Sequence, residues 1–375
     1  VLRLSRLRLT RFRNHAALDL RFGAGIVVLA GPNGAGKTNV LEAISLLGAG
    51  RGLRGARTAE LAMDGTPPWA VSGHFEDGSG GFEIGTGSAE DGSPDRRAWR
   101  LDGEKLRSQG ELADRVATVW ITPQMDRLFQ DSAGGRRRFL DRLVLALEPH
   151  HAREVAAYET AMANRNRLLS DARRADPAWL NAVEDAMARH GIAAAASRRA
   201  LLARLNAALE RGVAGAFPAA RLTLQCPATA LLDSMPALAA EEALRAEWRQ
   251  SRPRDAAAGA SLSGPHRADL LFTHAEKALP AALCSTGEQK ALLVSTVLAH
   301  AALIARTRGF APLLLLDEVP AHLDAERRAA LFAALAALPG QSFLTGTDLA
   351  TFAPLGAAAE YFSVNDGEVC PAPLG

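Results

Sequence analysis

Cysteine is scarce in this chain. Its 375 residues hold only Cys226, Cys284 and Cys370. They are far apart and odd in number, which argues against a disulfide framework and shows no metal-ligand spacing. Lysine is almost as rare: Lys37, Lys105, Lys277 and Lys290 are the only ones, and arginine supplies the remaining basic charge. Aromatic residues make up 5%, too few for a dedicated platform on which single-stranded bases would stack. The net charge is +2, so no whole-chain field favours a polyanion and any basic surface must be local. No apolar run reaches the roughly 18–20 residues of a membrane span. Residues 1–13 carry arginine every two or three positions without a continuous apolar stretch, so they do not read as a secretory signal. A cytoplasmic protein with no membrane association is expected.

Apolar residue is plentiful. With 48% hydrophobic and 22% charged residues, the chain reads as soluble and globular. At roughly 100–200 residues per domain, two compact units are expected. Leu2 and Leu4, then Leu7 and Leu9, alternate with polar positions, and Leu18, Leu20 and Phe22 repeat the pattern. Both are strand signals, with Asn14-His15 as a turn between them. Residues 26–30 form a short continuous apolar run, which suits a strand buried on both faces. Val40, Leu41, Ile44 and Leu47 then mark a helix over residues 39–47. Residues 77–95 are rich in Gly, Asp and Ser and read as a hairpin tip. Residues 136–215 change to Ala, Arg and Leu with helical period, broken at Pro149 and Pro177. Residues 252–264 read as a return linker, and strand-like sequence resumes near residue 266. The expected fold is α/β: a sheet-bearing lobe from residues 1–125 and 256–375, with a mainly helical lobe of residues 126–255 inserted.

Three motifs carry chemistry. Gly31-Pro32-Asn33-Gly34-Ala35-Gly36-Lys37-Thr38 is a complete G-x-x-x-x-G-K-T. Glycines let the backbone turn its N–H groups onto phosphate oxygens, and the following helix aims its positive end at the same anion. Lys37 would reach the β- and γ-phosphates of ATP, and the Thr38 hydroxyl would hold Mg²⁺. An apolar strand before the motif and an amphipathic helix after it supply the context that a chance glycine-rich turn lacks. The second motif is the apolar run 313–316 ending in Asp317-Glu318. Asp317 would hold the Mg²⁺ shell, and Glu318 would polarise the attacking water. The third is Ser285-Thr286-Gly287-Glu288-Gln289-Lys290, which opens a long helix. Alone it reads as an ordinary capping box. Beside a P-loop it suggests a second phosphate-binding helix start, and so an ATP site shared by two copies of the chain.

P-loop, Ser-x-Gly-Glu signature, Asp-Glu and a downstream Leu323-Asp324 together form the pattern of the ABC-type ATPases. The signature spelling is similar to that of the SMC-like branch, and the separation of residues 31–38 from residues 285–290 is far longer than in transporter subunits. The chain resembles the RecF family most closely. Phe12-Arg13-Asn14, Leu41-Glu42-Ala43-Ile44, the run from Gly135 through Arg136, Arg137 and Arg138 to Asp141, Arg165-Asn166-Arg167-Leu168-Leu169 and Ser263-Gly264-Pro265-His266-Arg267 all fit its pattern. There are departures: Cys284 and Thr286 replace the more usual signature residues, and Thr347-Asp348 stands where related heads carry a switch histidine.

The resemblance implies an ATP-dependent homodimer in which Ser285 and Gly287 face the partner copy's nucleotide and Asp324 lies near its P-loop. It implies Gln124 as the glutamine that senses nucleotide, a weak DNA-stimulated ATPase, and binding to DNA at single-strand/double-strand junctions. RecR, RecO and RecA are the implied partners in recombinational repair, replication restart and the SOS response. DNA contact would fall to arginine. Arg51, Arg54 and Arg57 lie where SMC-like heads place a DNA-facing loop. Arg3, Arg6, Arg8, Arg11 and Arg13 form a second candidate patch, Arg136–Arg138 a third, and His266 is a candidate for DNA or nucleotide. A transporter ATPase subunit is disfavoured by signature and spacing. A nuclease-coupled SMC-like ATPase would need a cluster of acidic residues that the stretch after residue 357 does not supply.

Overall fold

The alternating leucines near the start form a hairpin. Strands β1 (Arg3–Phe12) and β2 (His15–Arg21) pair antiparallel, with Leu7 opposite Leu20 and Leu9 opposite Leu18. The alternation changes phase after Leu4, and a bulge between Leu4 and Arg6 absorbs the extra residue. Leu4, Leu7 and Leu9 therefore all stay buried. Next come β3 (Ile26–Ala30), buried along its whole length, and helix α1 (Lys37–Leu46). Strands β4 (Ala70–Asp77), β5 (Gly80–Ser88), β6 (Arg97–Leu101) and β7 (Glu104–Lys105) complete a six-stranded sheet ordered β2-β1-β4-β5-β6-β7. Helix α2 (Gly110–Ala113) then leads to β8 (Thr118–Ile121). The computed structural model describes residues 2–78, 80–89, 91, 93, 96–170, 176–212 and 215–372. Of the segment 77–95 expected as a hairpin tip, residues 79, 90, 92, 94 and 95 lie outside the described residues. Much of the rest is strand β5, because Asp77 already pairs with Gly80.

The chain divides into two compact units. The first comprises residues 1–126, 208–219 and 285–375, and the second residues 127–207 and 220–284. The second unit contains α3 (Ala133–Leu147), α4 (His151–Ser170), most of α5 (Pro177–Glu210), β9 (Ala220–Gln225), α6 (Pro227–Ser234), α7 (Ala237–Ala258), β10 (Asp269–His274) and β11 (Leu279–Pro280). Tyr158, Met187, Ile192, Leu244 and Trp248 share its core. The chain re-enters the first unit at Ser285, not at residue 256. Two physical reasons account for the difference. Residues 252–258 are the last turns of α7, which runs through Pro253, so they are not a linker. Strand β10 then pairs with β9 in a small sheet ordered β11-β10-β9 that belongs to the inserted unit.

The first unit resumes with α8 (Thr286–Arg308), β12 (Leu313–Leu316), α9 (Ala325–Ala337), β13 (Ser342–Gly346), β14 (Ala359–Asn365) and β15 (Glu368–Pro371). These join the earlier segments in a second six-stranded sheet ordered β15-β14-β3-β13-β12-β8. Its strands run parallel except β15. Helix α8 is long and apolar enough by composition to cross a membrane, which corrects the expectation that no such segment exists, but 78% of its most apolar window is buried inside the protein. It is a core helix of this unit.

Candidate functional site

Strands β3, β13 and β12 lie side by side and parallel, so their C-terminal ends share one edge of the sheet. In open α/β sheets, ligands bind beyond such ends. The loop 31–38 leaves β3 there. The Gly31 N–H donates to the Gly346 carbonyl of β13 at 3.1 Å. A Cβ on Gly31 would lie 2.0 Å from the carbonyl oxygen of Val364, so only glycine fits between β3 and β14. Gly36 begins α1 with φ 110°, and a Cβ there would lie 2.6 Å from Asn14 Nδ2. Gly31→Ala is expected to displace the loop, lower stability by about 1–3 kcal/mol and abolish nucleotide binding. Thermal unfolding and fluorescent-nucleotide titration check this, and a variant that binds ATP like the parent would contradict it.

Within the loop, Lys37 Nζ donates to the carbonyls of Gly31 and Pro32 at 2.8 and 2.9 Å. The ammonium thus holds the loop curled around itself. Burial pulls the Lys37 pKa below its ordinary value, while the charges of Glu318 and Asp317 oppose that pull. The Thr38 hydroxyl donates to Asp317 Oδ1 and Oδ2 at 2.9 and 3.1 Å. From β13, the Thr345 hydroxyl donates to Asp317 Oδ1 at 2.8 Å and accepts the Glu318 N–H at 2.9 Å. One threonine therefore sets the position of both acids. Burial raises the Asp317 pKa, against the hydrogen bonds from Thr345 and Thr38. A buried carboxylate short of counter-charge beside a hydroxyl is a donor set that fits Mg²⁺, which takes one or two protein oxygens and completes its shell with phosphate and water. Glu318 follows in the left-handed region at φ 55°, a backbone cost of about 1–3 kcal/mol of the kind that collects at functional sites.

The loop is also braced from behind, by residues whose part in the site the sequence does not show. Asn14 Nδ2 and the Gly367 N–H both donate to the Ala35 carbonyl, at 3.2 and 3.0 Å. Asn39 Nδ2 donates to Asn14 Oδ1 at 2.7 Å. Buried His15 donates from Nδ1 to the Gly367 carbonyl at 2.6 Å. The Asn14-His15 turn between β1 and β2 is therefore a prop for the P-loop as well as a hairpin turn. Thr345 is likewise a site residue that sequence reading passes over. Only its place at the end of an apolar strand next in line to β12 hints at it.

The remaining candidates are dispersed. Ser285 caps α8 in a full capping box, its hydroxyl accepting the Glu288 N–H and its own N–H donating to Glu288 Oε2 at 2.9 Å. It is exposed. Gly287 packs near the start of α9, since a Cβ on it would lie 3.1 Å from Arg327 Nη1. Asp324 caps α9 by accepting the Arg327 N–H at 2.8 Å. The hydrogen bonds of Ser285 go to Glu288 and Gln289 within its own helix start. Gln124 is exposed on the turn Pro123–Arg127 that follows β8, the strand beside β12. Asp348 caps the turn after β13 and Thr347 is exposed. Arg54 is committed: it donates to Glu42 Oε2 at 2.6 Å and to Asn39 Oδ1 at 2.7 Å. Arg13 takes the same buried Glu42 in a fork at 2.8 and 2.7 Å. Arg51 and Arg57 are exposed. In the first-strand patch, Arg6 is forked onto Asp19 and Arg3 donates to the Gly23 carbonyl, so that patch is largely tied up in its own sheet.

The geometry agrees with what the chain is similar to. Residues 3–348 match the family model described as RecF/RecN/SMC N terminal domain. A protein of Agrobacterium fabrum named DNA replication and repair protein RecF is 49% identical over 373 residues, covering 98% of each chain. One of the same name from Rhizobium meliloti is 49% identical over 378 residues, again covering 98% of each. The chain belongs to the RecF family. Among solved structures, the recombination mediator protein RecF with ATP in the RecFOR pathway superposes with a TM-score of 0.86 at 23% identity, covering 99% of this chain and 98% of that one. An Smc head domain from Pyrococcus furiosus, bound to the C-terminal domain of ScpA, superposes with a TM-score of 0.52 at 16% identity, covering 100% and 97%. The fold is thus the ABC-type ATPase head in its RecF form, and the family is one of DNA replication and repair proteins.

Proposed function

We propose that this chain is an ATP-driven clamp of recombinational repair, closing as a homodimer on gapped DNA or single-strand/double-strand junctions. One copy supplies residues 31–38, Thr38 and Asp317 for ATP and Mg²⁺, with Glu318 as the group that activates water and Gln124 as the nucleotide sensor. The other copy supplies Ser285 and Gly287. The observation that carries this reading is the separation of the two phosphate-binding helix starts: Thr38 and Asp317 are assembled in one chain, whereas Ser285 stands exposed and uncommitted to that P-loop. Bound Mg²⁺ would neutralise charge on the β- and γ-phosphates.

ATP then favours the closed dimer and ADP the open one, and the difference in affinity drives the switch. Turnover is expected to be slow and DNA-stimulated, in the cytoplasm. By family likeness the clamp works with RecR and RecO to load RecA at gaps and supports replication restart and the SOS response. The solved RecF with ATP supports the nucleotide chemistry, and the names of the RecF relatives support the repair role.

Ser285→Arg tests the shared site. The variant should bind ATP like the parent but lose ATP-induced dimerisation and hydrolysis, read by light scattering and phosphate release. If it dimerises and hydrolyses normally, the shared site is wrong. If the parent binds no DNA at low salt with ATP and Mg²⁺ present, the repair reading fails.

A further inference from the structure

The three arginines that open α3 part ways. Arg136 donates to both oxygens of Asp269, at 2.7 and 2.8 Å. Arg137 and Arg138 instead converge above Gly134. A Cβ on Gly134 would lie 3.6 Å from Arg138 Nη1 and 3.8 Å from Arg137 Nη2. Among the described residues, neither guanidinium has a carboxylate within ion-pair distance. Arg267, exposed on the turn Pro265–Arg267, is a third neighbour without a carboxylate, its Nε donating only to the Leu262 carbonyl at 3.2 Å. Burial lowers the His266 pKa, and the charges of Arg267 and Arg137 add to that effect. The turn that carries Arg267 packs against α3, the helix that carries Arg137 and Arg138.

His266 itself is fully engaged. Tyr158 donates to its Nδ1 at 2.7 Å, and its Nε2 donates to the Ser261 carbonyl at 3.0 Å. It holds the turn that carries Arg267 and offers nothing to an incoming ligand, which corrects the expectation that it approaches DNA or nucleotide directly.

The acids around the cluster are mostly spent. Asp269 holds Arg136. Asp141 holds Arg198 in a fork at 2.7 and 2.9 Å and takes His151 at 2.7 Å. Asp131 accepts the Ser132 N–H at 2.6 Å. Glu159 acts on Arg137 only from beyond ion-pair distance. Burial lowers the Arg137 pKa, and the nearby charges of Arg198 and Arg138 push the same way, against Asp141 and Glu159. Like charges brought together without a counter-ion repel, and an external anion between them reverses the sign of the interaction.

We propose that Arg137, Arg138 and Arg267 form a site in the second unit for consecutive phosphates of the DNA backbone. This rests on the DNA-binding function proposed above and gives that function a location. Guanidinium groups take phosphate oxygens two at a time, without reading sequence. Contacts of this kind are salt-sensitive, because each phosphate neutralised releases counter-ions.

The test is a salt titration of DNA binding by the full chain with ATP and Mg²⁺, using a junction substrate and a random-sequence duplex. In the triple variant Arg137→Ala, Arg138→Ala, Arg267→Ala, the slope of log K against log salt should flatten by about 2–3, roughly 0.9 per lost phosphate contact. Affinity should fall about tenfold or more at moderate salt on both substrates. ATP binding and the unfolding temperature should not change. Arg249→Ala, an exposed arginine on α7, should leave binding as in the parent. Gly134→Glu keeps every arginine but sets a carboxylate between two of them, and should reproduce the loss. The proposal is overturned by parental affinity and slope in the triple variant or in Gly134→Glu, or by an equal loss in Arg249→Ala. A parent that binds no DNA even at low salt overturns the functional reading instead, and the site with it.

Discussion

Glu318→Gln is expected to bind ATP and Mg²⁺ as tightly as the parent and to hydrolyse ATP about 10²–10⁴-fold more slowly. At 1.36 kcal/mol per tenfold, that is about 3–5 kcal/mol of barrier. The geometry separates binding from chemistry. Asp317, buried and held by Thr38 and Thr345, is the acid we assign to the metal. Glu318 is next in the chain, but its left-handed φ of 55° turns it out of the strand direction, and its N–H is pinned to Thr345 at 2.9 Å. Among the described residues no hydrogen bond of its carboxylate holds the P-loop, so an isosteric amide removes proton-accepting power together with one of the two negative charges that act on Lys37. The closed dimer should then outlive that of the parent, because the step that opens it has been slowed. Single-turnover phosphate release against equilibrium nucleotide binding decides the matter. Hydrolysis within a few-fold of the parent at saturating ATP would remove Glu318 from its assigned role.

The parts of this site that sequence reading finds are those written in one short stretch. Residues 31–38 need glycine where the backbone touches Val364, and the lysine and threonine follow within the same turn of chain. Asp317-Glu318 is marked by the apolar strand before it. The site roles of Thr345, Asn14, His15 and Gly367 are hidden in the sequence because they depend on strand order. Only when β14, β3, β13 and β12 line up do segments from both ends of the chain meet at one edge. Charge is the other blind spot. Arg51, Arg54 and Arg57 look alike in sequence, yet Arg54 is drawn to Glu42, which sits buried one turn into α1. Arg136, Arg137 and Arg138 are adjacent, and among the described residues only the first forms an ion pair. The same limit moved the boundary of the inserted unit. Residues 252–258 have a linker's composition, but the side chains of Ser251 and Asp255 are bound into the buried network of α4, at 2.7 Å to each other and 2.8 Å from Asp255 to Arg165, and the helix continues.

That network is where a single substitution should cost most stability. Arg165→Met is expected to lower the unfolding free energy by about 3–5 kcal/mol, measured by denaturant unfolding at neutral pH. Arg165 is completely buried. Its Nε donates to Glu184 at 2.9 Å, its Nη1 to Asp255 and Ser261 at 2.8 Å each, and its Nη2 to the Trp248 carbonyl at 2.8 Å. One cation therefore ties α4 to α5, to α7 and to the segment after α7. Methionine fills much of the volume, so the cost comes mainly from the charges left behind. Glu184 keeps Arg252, at 3.0 and 2.6 Å. Asp255 keeps only the Ser251 hydroxyl and the Leu262 N–H. This asymmetry sets a pH dependence. Burial alone would raise the Asp255 pKa, yet hydrogen bonds from Ser251 and Arg165 bring it below the ordinary carboxylate value. A carboxyl with a depressed pKa in the folded state contributes stability above its unfolded pKa, and that stability is lost as pH falls through the folded pKa. Without Arg165 the depression disappears and the folded Asp255 pKa rises. The deficit of the variant should thus be full at neutral pH and shrink toward about pH 4, where Asp255 of the variant takes up a proton that the parent still refuses. A deficit that is independent of pH would mean that the loss lies in packing and that Asp255 does not depend on Arg165 for its charge.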